Sequence, residues 1–344
     1  MTSAPAAPPT AFADQGAAFR RKLLGWYREH GRDLPWRRTS DPYAILVSEL
    51  MLQQTQVATV LTYYNAWLAR FPDFAALAAA NESDVLHAWQ GLGYYARARN
   101  LRATAKAVVA QHGGVFPRAI EQSRKLPGVG RYTANAVATF AFGSAVPIVE
   151  ANTARLYARL TNLQLRVDSA AGQQQLWDFA ATLLPSRDAA AHNSALMDLG
   201  ALICVSGRPK CDVCPVRAFC TAEDPVRLPL KATRTSLKLL TEHHGFSIRE
   251  GRVVLERAQH RWRGMWILPR VTSLQSAKPP LYSADFPFTH HRITLRVCED
   301  ADRGKSAGKE HRSFAVGELD SIPMPSPHRR ALNALLQQHT APTN

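Results

Sequence analysis

Two carboxylates and a knot of thiols are the residues here whose types and spacing could do chemistry. Glu49 sits in ILVSELML, among largely apolar neighbours. A carboxyl held against apolar surface keeps its proton, because desolvation disfavours the charged form, and such a group can act as a general acid near neutral pH. Glu150 sits in VPIVEANTARLYARL, just ahead of a helical stretch, where the helix dipole favours a carboxylate that stays ionised. Two carboxyls tuned in opposite directions suit cleavage of a glycosidic bond: one protonates the leaving group and the other faces the developing cation. Read as plain structure, the same residues are a satisfied helix glutamate and an N-cap partner.

Cys204, Cys211, Cys214 and Cys220 follow the spacing C-x6-C-x2-C-x5-C. Four thiols this close can surround one metal centre, and in an intracellular chain that reading outweighs disulfides. Zinc and a four-iron cluster both accept four thiolates, but zinc sites usually pair two short knuckles and only one C-x-x-C is present. The spacing therefore points to iron–sulfur, with a structural role that displays Arg208, Lys210 and Arg217 toward phosphates. Cys298 lies alone in an expected strand and reads as core.

A third motif is KLPGVGRYT at 125–133. The turn Gly128-Val129-Gly130 brings backbone close to another molecule and opens a helix whose free N–H groups suit a phosphate, with Lys125 and Arg131 alongside.

These groups need a frame. Residues 18–222 carry apolar residues three and four apart, as in AILVSELMLQQTQVATVLTYYNAWLARF, with stops at Phe71-Pro72, Gly113-Gly114, Gly143 and Pro185. They predict an all-α domain with room for two lobes. Residues 223–240 read as a linker and 1–17, rich in Ala and Pro, as a disordered tail. From 241 to 340 the texture changes to short strands: GFSIREGRVVLERA as a hairpin turning at Glu250-Gly251, then MWILP and HRITLRVCED, closed by a helix in HRRALNALLQQH. This predicts a small α+β domain.

The chain of 344 residues carries 42 Lys and Arg against 27 Asp and Glu, a net charge of +15. Up to residue 230 there are 24 basic and 17 acidic residues, and beyond it 18 and 10. Both halves are basic, which favours a polyanion such as nucleic acid. The start of the chain lacks a signal-peptide pattern and no eighteen-residue apolar run occurs, so a soluble, cytoplasmic protein with no membrane partner is expected.

The stretches PWRRTSDPYAILVSELMLQQTQVATV, GLGYYARARNL, LPGVGRYTANAVATFAFG, ALMDLGALIC and the cysteine cluster resemble the helix-hairpin-helix DNA glycosylases with an iron–sulfur loop. Within them the chain is most similar to the MutY-type adenine DNA glycosylases. The resemblance implies a 4Fe-4S cluster on the four cysteines (loop 204–220) and a monomer acting on double-stranded DNA with adenine opposite 8-oxoguanine or guanine. It places Glu49 as the acid that protonates adenine N7. At 150 the family usually has aspartate, one methylene shorter, followed by Gly-Asn; here Ala151-Asn152 follows, with Asn152 a supporting partner. Tyr132 stands where relatives that also cut the strand carry a lysine, so the implied activity is monofunctional base removal leaving an abasic site. Gln54 and Tyr94 match the residues that wedge the opened stack. Trp36 and Arg37 match the adenine pocket, and Ser194 replaces the usual Gln or Glu that reads the base edge. Residues 241–340 resemble the family's added Nudix-like domain, with Phe288-Thr289-His290 in place of the Phe-Ser-His loop that senses 8-oxoguanine. No acidic Nudix box is present, and no pyrophosphate hydrolysis is expected there. Two other functions remain open: a thymine or uracil mismatch glycosylase, and a catalytically weak binder of DNA lesions.

Overall fold

The structure, a computed structural model, describes residues 11–233, 236–271, 279–300 and 310–340. The chain packs as two compact units, one of residues 1–53 with 107–233 and the other of 54–106 with 234–344. The glycosylase-like stretch expected at 18–222 is thus shared between them.

The first unit holds α1 (Ala11–His30), α2 (Pro42–Leu52), α7 (Ile120–Ser123), α8 (Arg131–Phe142), α9 (Ala151–Leu160), α10 (Ala170–Leu183) and α11 (Ala189–Leu202). α2 opens with Pro42 at its first position and Asp41 as N-cap, whose carboxylate accepts from the Tyr43 and Ala44 N–H groups. Tyr43 through Met51 are all buried, as an apolar sequence on every side of a helix requires. α8 ends at Gly143, whose φ of 68° is the left-handed C-cap. One core joins Phe19 and Leu23 of α1 to Leu156, Tyr157, Phe179 and Leu196. α1 begins at Ala11, so part of the expected tail is helical; residues 1–10 lie outside the described set. The expected linker is also ordered at both ends. Val167 N–H donates to Leu230 O, and Ala232 N–H to Asp168, while a strand already starts at Lys238.

Among the described residues, the second unit holds α3 (Val57–Arg70), α4 (Phe74–Ala79), α5 (Glu82–Ala88), the start of α6 (Ala96–His112), seven strands and α12 (Ser326–Thr340). Trp67 packs edge-on against Trp89 and Phe71 in its helical part. One sheet runs β1 (Lys238–Phe246), β6 (His291–Glu299), β5 (Tyr282–Phe288), with β1 parallel and β5 antiparallel to β6. The other joins β2 (Ile248–Arg249), β3 (Arg252–Arg257), β4 (Trp266–Ile267) and β7 (His311–Ala315), with β3 paired to β2, β4 and β7. The hairpin expected at Glu250-Gly251 is present, both residues at positive φ. Leu255, Ile293, Leu295, Leu332 and Leu335 share a core with α12, and Cys298 is buried as expected. Helical and sheet parts meet within this unit: Arg99 donates to Arg263 O at 2.9 Å, and Met324 N–H to Gln90 Oε1 at 3.1 Å. Gly264 approaches Glu82 so closely that a Cβ would lie 3.1 Å from Oε1.

Candidate active site

Three elements of the first unit bring the acidic pair together. Glu49 projects from α2 and is 4% exposed. Tyr132, in the first turn of α8, donates its hydroxyl to Glu49 Oε2 at 2.7 Å. Burial pushes the Glu49 carboxyl up to about 7; the Tyr132 hydrogen bond and Arg37 pull it down, and the charge of Glu150 adds to the rise. Tyr132 stays protonated, its pKa raised by burial and by both carboxylates, so it has a proton to donate to the Glu49 carboxylate.

Glu150 is the N-cap of α9. Its carboxylate accepts from Asn152 N–H at 2.8 Å and Thr153 N–H at 2.9 Å, while Glu150 N–H donates to Thr153 Oγ1. The glutamate therefore folds back as a capping residue despite its extra methylene. The expectation that the helix start alone keeps it fully ionised needs correcting. Burial dominates and raises its pKa, with the backbone N–H donors and Arg155 opposing the rise. Burial thus raises both carboxyls rather than tuning them in opposite directions; they differ in that Glu150 accepts from two backbone N–H groups and Glu49 from one phenol.

The segment that delivers Glu150 is tied on both sides. Asn135 of α8 donates to Pro147 O at 2.8 Å, and Asn193 of α11 to Val146 O at 3.1 Å. Asn152 Oδ1 accepts from Arg155 Nη2, which also donates to Gly200 O. A Cβ on Gly200 would stand 2.9 Å from Asn152 Cβ, so α9 and α11 approach this closely only over glycine.

The pocket expected around Trp36 and Arg37 is built differently. Trp36 is 7% exposed, within a 3₁₀ turn at Pro35–Arg37. Arg37 donates to both oxygens of Asp198, at 2.7 and 2.8 Å, and Arg32 donates three further bonds to the same carboxylate. Asp198 is fully buried. Burial alone would raise its pKa, but the arginine bonds outweigh it and hold the carboxyl below its usual range. The Arg37 fork is thus occupied by a carboxylate, and its charge bears on Glu49. Ser194 is buried on α11. Asp198, Arg32 and Arg155 escaped the sequence reading; the one signal was a carboxylate inside the apolar ALMDLGAL.

At the hairpin, Val129 N–H donates to Leu126 O, Gly128 has φ 75°, and Gly130 caps α8 without a side-chain bond. Gly130, Gly128 and Lys125 are exposed. Arg131 lies with its guanidinium carbon 3.8 Å from the Trp177 ring centre, a cation–π contact where a free phosphate ligand was expected.

All four clustered cysteines line one cavity with Arg159, Leu156 and Val216. Burial pushes the Cys214 thiol up to about 11, with charge on the other three adding to the rise. Arg159, almost fully buried, donates to Cys204 Sγ and to the carbonyls of Cys204, Val205, Gly207 and Leu228. Among the described residues no group of three or more His, Cys, Asp and Glu is arranged to hold a single metal ion. Four soft thiols lining one cavity suit a thiolate-held metal centre. Arg208, Lys210 and Arg217 are exposed on this loop.

In the second unit, Gln54 is exposed and Tyr94 is 49% exposed. Thr289 and His290 form the exposed tip between β5 and β6, and Phe288 lies under the Arg261 guanidinium at 4.6 Å.

Residues 47–180, which hold the glycine hairpin leading into α8 and the paired carboxyls Glu49 and Glu150, match the HhH-GPD superfamily of base excision DNA repair proteins. An adenine DNA glycosylase of Buchnera aphidicola subsp. Acyrthosiphon pisum is 30% identical over 288 residues, 82% of this chain and 80% of its own. The human adenine DNA glycosylase is 44% identical over 218 residues, 61% of this chain and 40% of its own. The chain belongs to the adenine DNA glycosylase family. It spans less than half the length of the mammalian relatives it matches. A solved thermostable thymine-DNA glycosylase is also similar, with a TM-score of 0.55 and 30% identity over 61% of this chain and 97% of its own. No described helix is long and apolar enough to cross a membrane.

Proposed function

We propose that the protein removes adenine from DNA opposite 8-oxoguanine or guanine by hydrolysing its N-glycosidic bond. The observation that carries this reading is the buried Glu49, bonded by Tyr132 and pushed by burial up to about 7, beside a capped Glu150. Glu49 gives its proton to N7 of the extruded adenine. The C1′–N9 bond breaks and its electron pair leaves with the base. Glu150 faces the resulting sugar cation, water adds to C1′, and the water's proton is lost to a carboxylate, leaving an abasic site. Tyr132 in place of a lysine supplies no amine for a Schiff base, so strand cutting is not part of the reaction.

The remaining residues grip and read. Gly128, Gly130 and Lys125 meet the backbone at the start of α8, and Arg131 acts from its seat on Trp177. Gln54 and Tyr94 enter the stack that the extruded base has left. Ser194, Trp36 and the Asp198-bound Arg37 wall the base pocket. The sheet domain is Nudix-like, and Phe288, Thr289 and His290 read the opposite base, the Thr289 hydroxyl hydrogen-bonding to the lesion. Cys204, Cys211, Cys214 and Cys220 would hold a 4Fe-4S cluster, which supplies a structural cross-link for the loop that presents Arg208, Lys210 and Arg217 to phosphate. The protein works as a cytoplasmic monomer.

A panel of duplexes with A:8-oxoguanine, A:G, T:G and U:G pairs, treated with alkali after reaction, tests the reading: strand breaks at adenine support it. The likeness to the thymine-DNA glycosylase, together with the short side chain of Ser194, favours thymine removal as the second reading, and breaks at T:G alone would establish it.

A further inference from the structure

Gln54 and Tyr94 share an uncommon backbone. Their φ angles are 55° and 45°, in the left-handed region that side chains with a Cβ enter at an energetic cost and that persists only where surroundings enforce it. One buried side chain touches the loops of both. Arg97 is 6% exposed, and its Nη2 donates to Thr55 Oγ1 at 3.1 Å, Leu92 O at 2.9 Å and Gly93 O at 3.1 Å. Thr55 follows Gln54 directly, and Gly93 immediately precedes Tyr94. The same guanidinium lies 5.6 Å from the Tyr94 ring centre and 5.3 Å from that of Trp89. Trp89 Nε1 donates to Gly93 O as well. Gly91, at φ 106°, leaves room for the Tyr63 hydroxyl, which would stand 2.0 Å from a Cβ there.

We propose that Arg97 is a positioning residue that holds Gln54 and Tyr94 as one preformed wedge, so that both enter the base stack together. This inference rests on the base-removal reading above. A planar fork can donate to acceptors on two loops while its face packs on a ring; a lysine ammonium cannot do both. Preforming the wedge leaves less disorder to be lost when the stack opens. Its effect should therefore fall on base extrusion and barely on overall duplex affinity.

The test uses the full chain and an A:8-oxoguanine duplex carrying 2-aminopurine next to the target adenine, whose fluorescence rises as the stack opens. Arg97→Lys is expected to lower both the fluorescence rise and the single-turnover excision rate tenfold or more. Duplex Kd should change less than threefold, and the thermal transition should stay within a few degrees. In a Gln54→Ala/Tyr94→Ala background the same change should cost less than threefold, because coupled residues are not additive. Thr55→Val, which removes only one acceptor, should lower opening threefold or more and keeps the test usable if Arg97→Lys does not fold. A folded Arg97→Lys or Thr55→Val protein that opens the stack as wild type does, or losses that simply multiply with those of the alanine pair, would overturn the inference alone. A wild-type protein that leaves the reporter dark would overturn the base-removal reading as well.

Discussion

The Tyr132 hydroxyl donates to Glu49 Oε2 across 2.7 Å, so the acid that burial keeps neutral is held by a neighbour that favours its ionised form. The two influences oppose each other in one side chain, and burial wins. The balance leaves the carboxyl near neutrality, where a general acid serves best.

Removing that neighbour should move the balance in a known direction. Tyr132→Phe deletes an interaction that lowers the Glu49 pKa. The descending limb of the excision rate against pH should shift to higher pH in the variant. A single-turnover pH series measures the shift, and a limb moved to lower pH would contradict the assignment.

The same carboxyl has a stability signature. Its folded pKa lies above its unfolded value, so its contribution is full below about pH 4.5 and is lost as pH rises through about 7. Wild type should lose about 3 kcal/mol of stability over that window from this group alone, by one pKa unit being worth about 1.4 kcal/mol. Glu49→Gln should flatten this part of the profile. Urea unfolding at pH 5 and pH 8 reads the difference.

Asp198 and its two arginines form a buried ion cluster whose value lies in completeness. Asp198→Asn leaves Arg32 and Arg37 undercompensated, and a loss of about 3–5 kcal/mol is expected. With Arg37 released, its pull on Glu49 changes too. Chemical denaturation gives the first effect and the pH–rate profile the second.

The capping by Glu150 can be separated from its proposed part in excision. Glu150→Ala should cost about 1 kcal/mol as a lost helix cap and should abolish most excision. Glu150→Asp keeps the charge and a capping group, so its stability should stay near wild type, and its excision rate reports whether the longer reach of glutamate matters. Thermal unfolding beside single-turnover rates separates the two.

The cysteine loop gives a removal test. Iron and acid-labile sulfide should be found in purified protein, and Cys214→Ser should lose them. Loss of the cluster should leave residues 204–220 open to proteolysis, while a loop equally protected without iron would argue against the cross-link.

The burial of Glu49, the capping by Glu150 and the hairpin were legible because each is local: Glu49 stands in an apolar helix, Glu150 precedes one, and Gly128 and Gly130 punctuate the chain. So were the stops at Gly143 and Pro185 and the strand turn at Glu250-Gly251. What escaped is carried by long-range pairing. Arg37 meets Asp198 across 161 residues, and Arg131 of α8 meets Trp177 of α10 with the whole of α9 between them in the chain. No spacing rule announces that a guanidinium will be spent on a buried carboxylate or an indole face. The unit boundary was hidden for the same reason, since residues 54–106 read as a continuation of the helical domain while their packing places them with the sheets.

Proton donation by Glu49 is tested most directly by the single-turnover rate of adenine release from an A:8-oxoguanine duplex, measured across pH 5–9 for wild type and Glu49→Gln. The wild-type rate should fall as pH rises past about 7, and the glutamine protein should be slower by at least about a hundredfold at pH 5–6, with the gap narrowing as the wild-type rate falls. A glutamine variant that releases adenine at the wild-type rate would contradict the account.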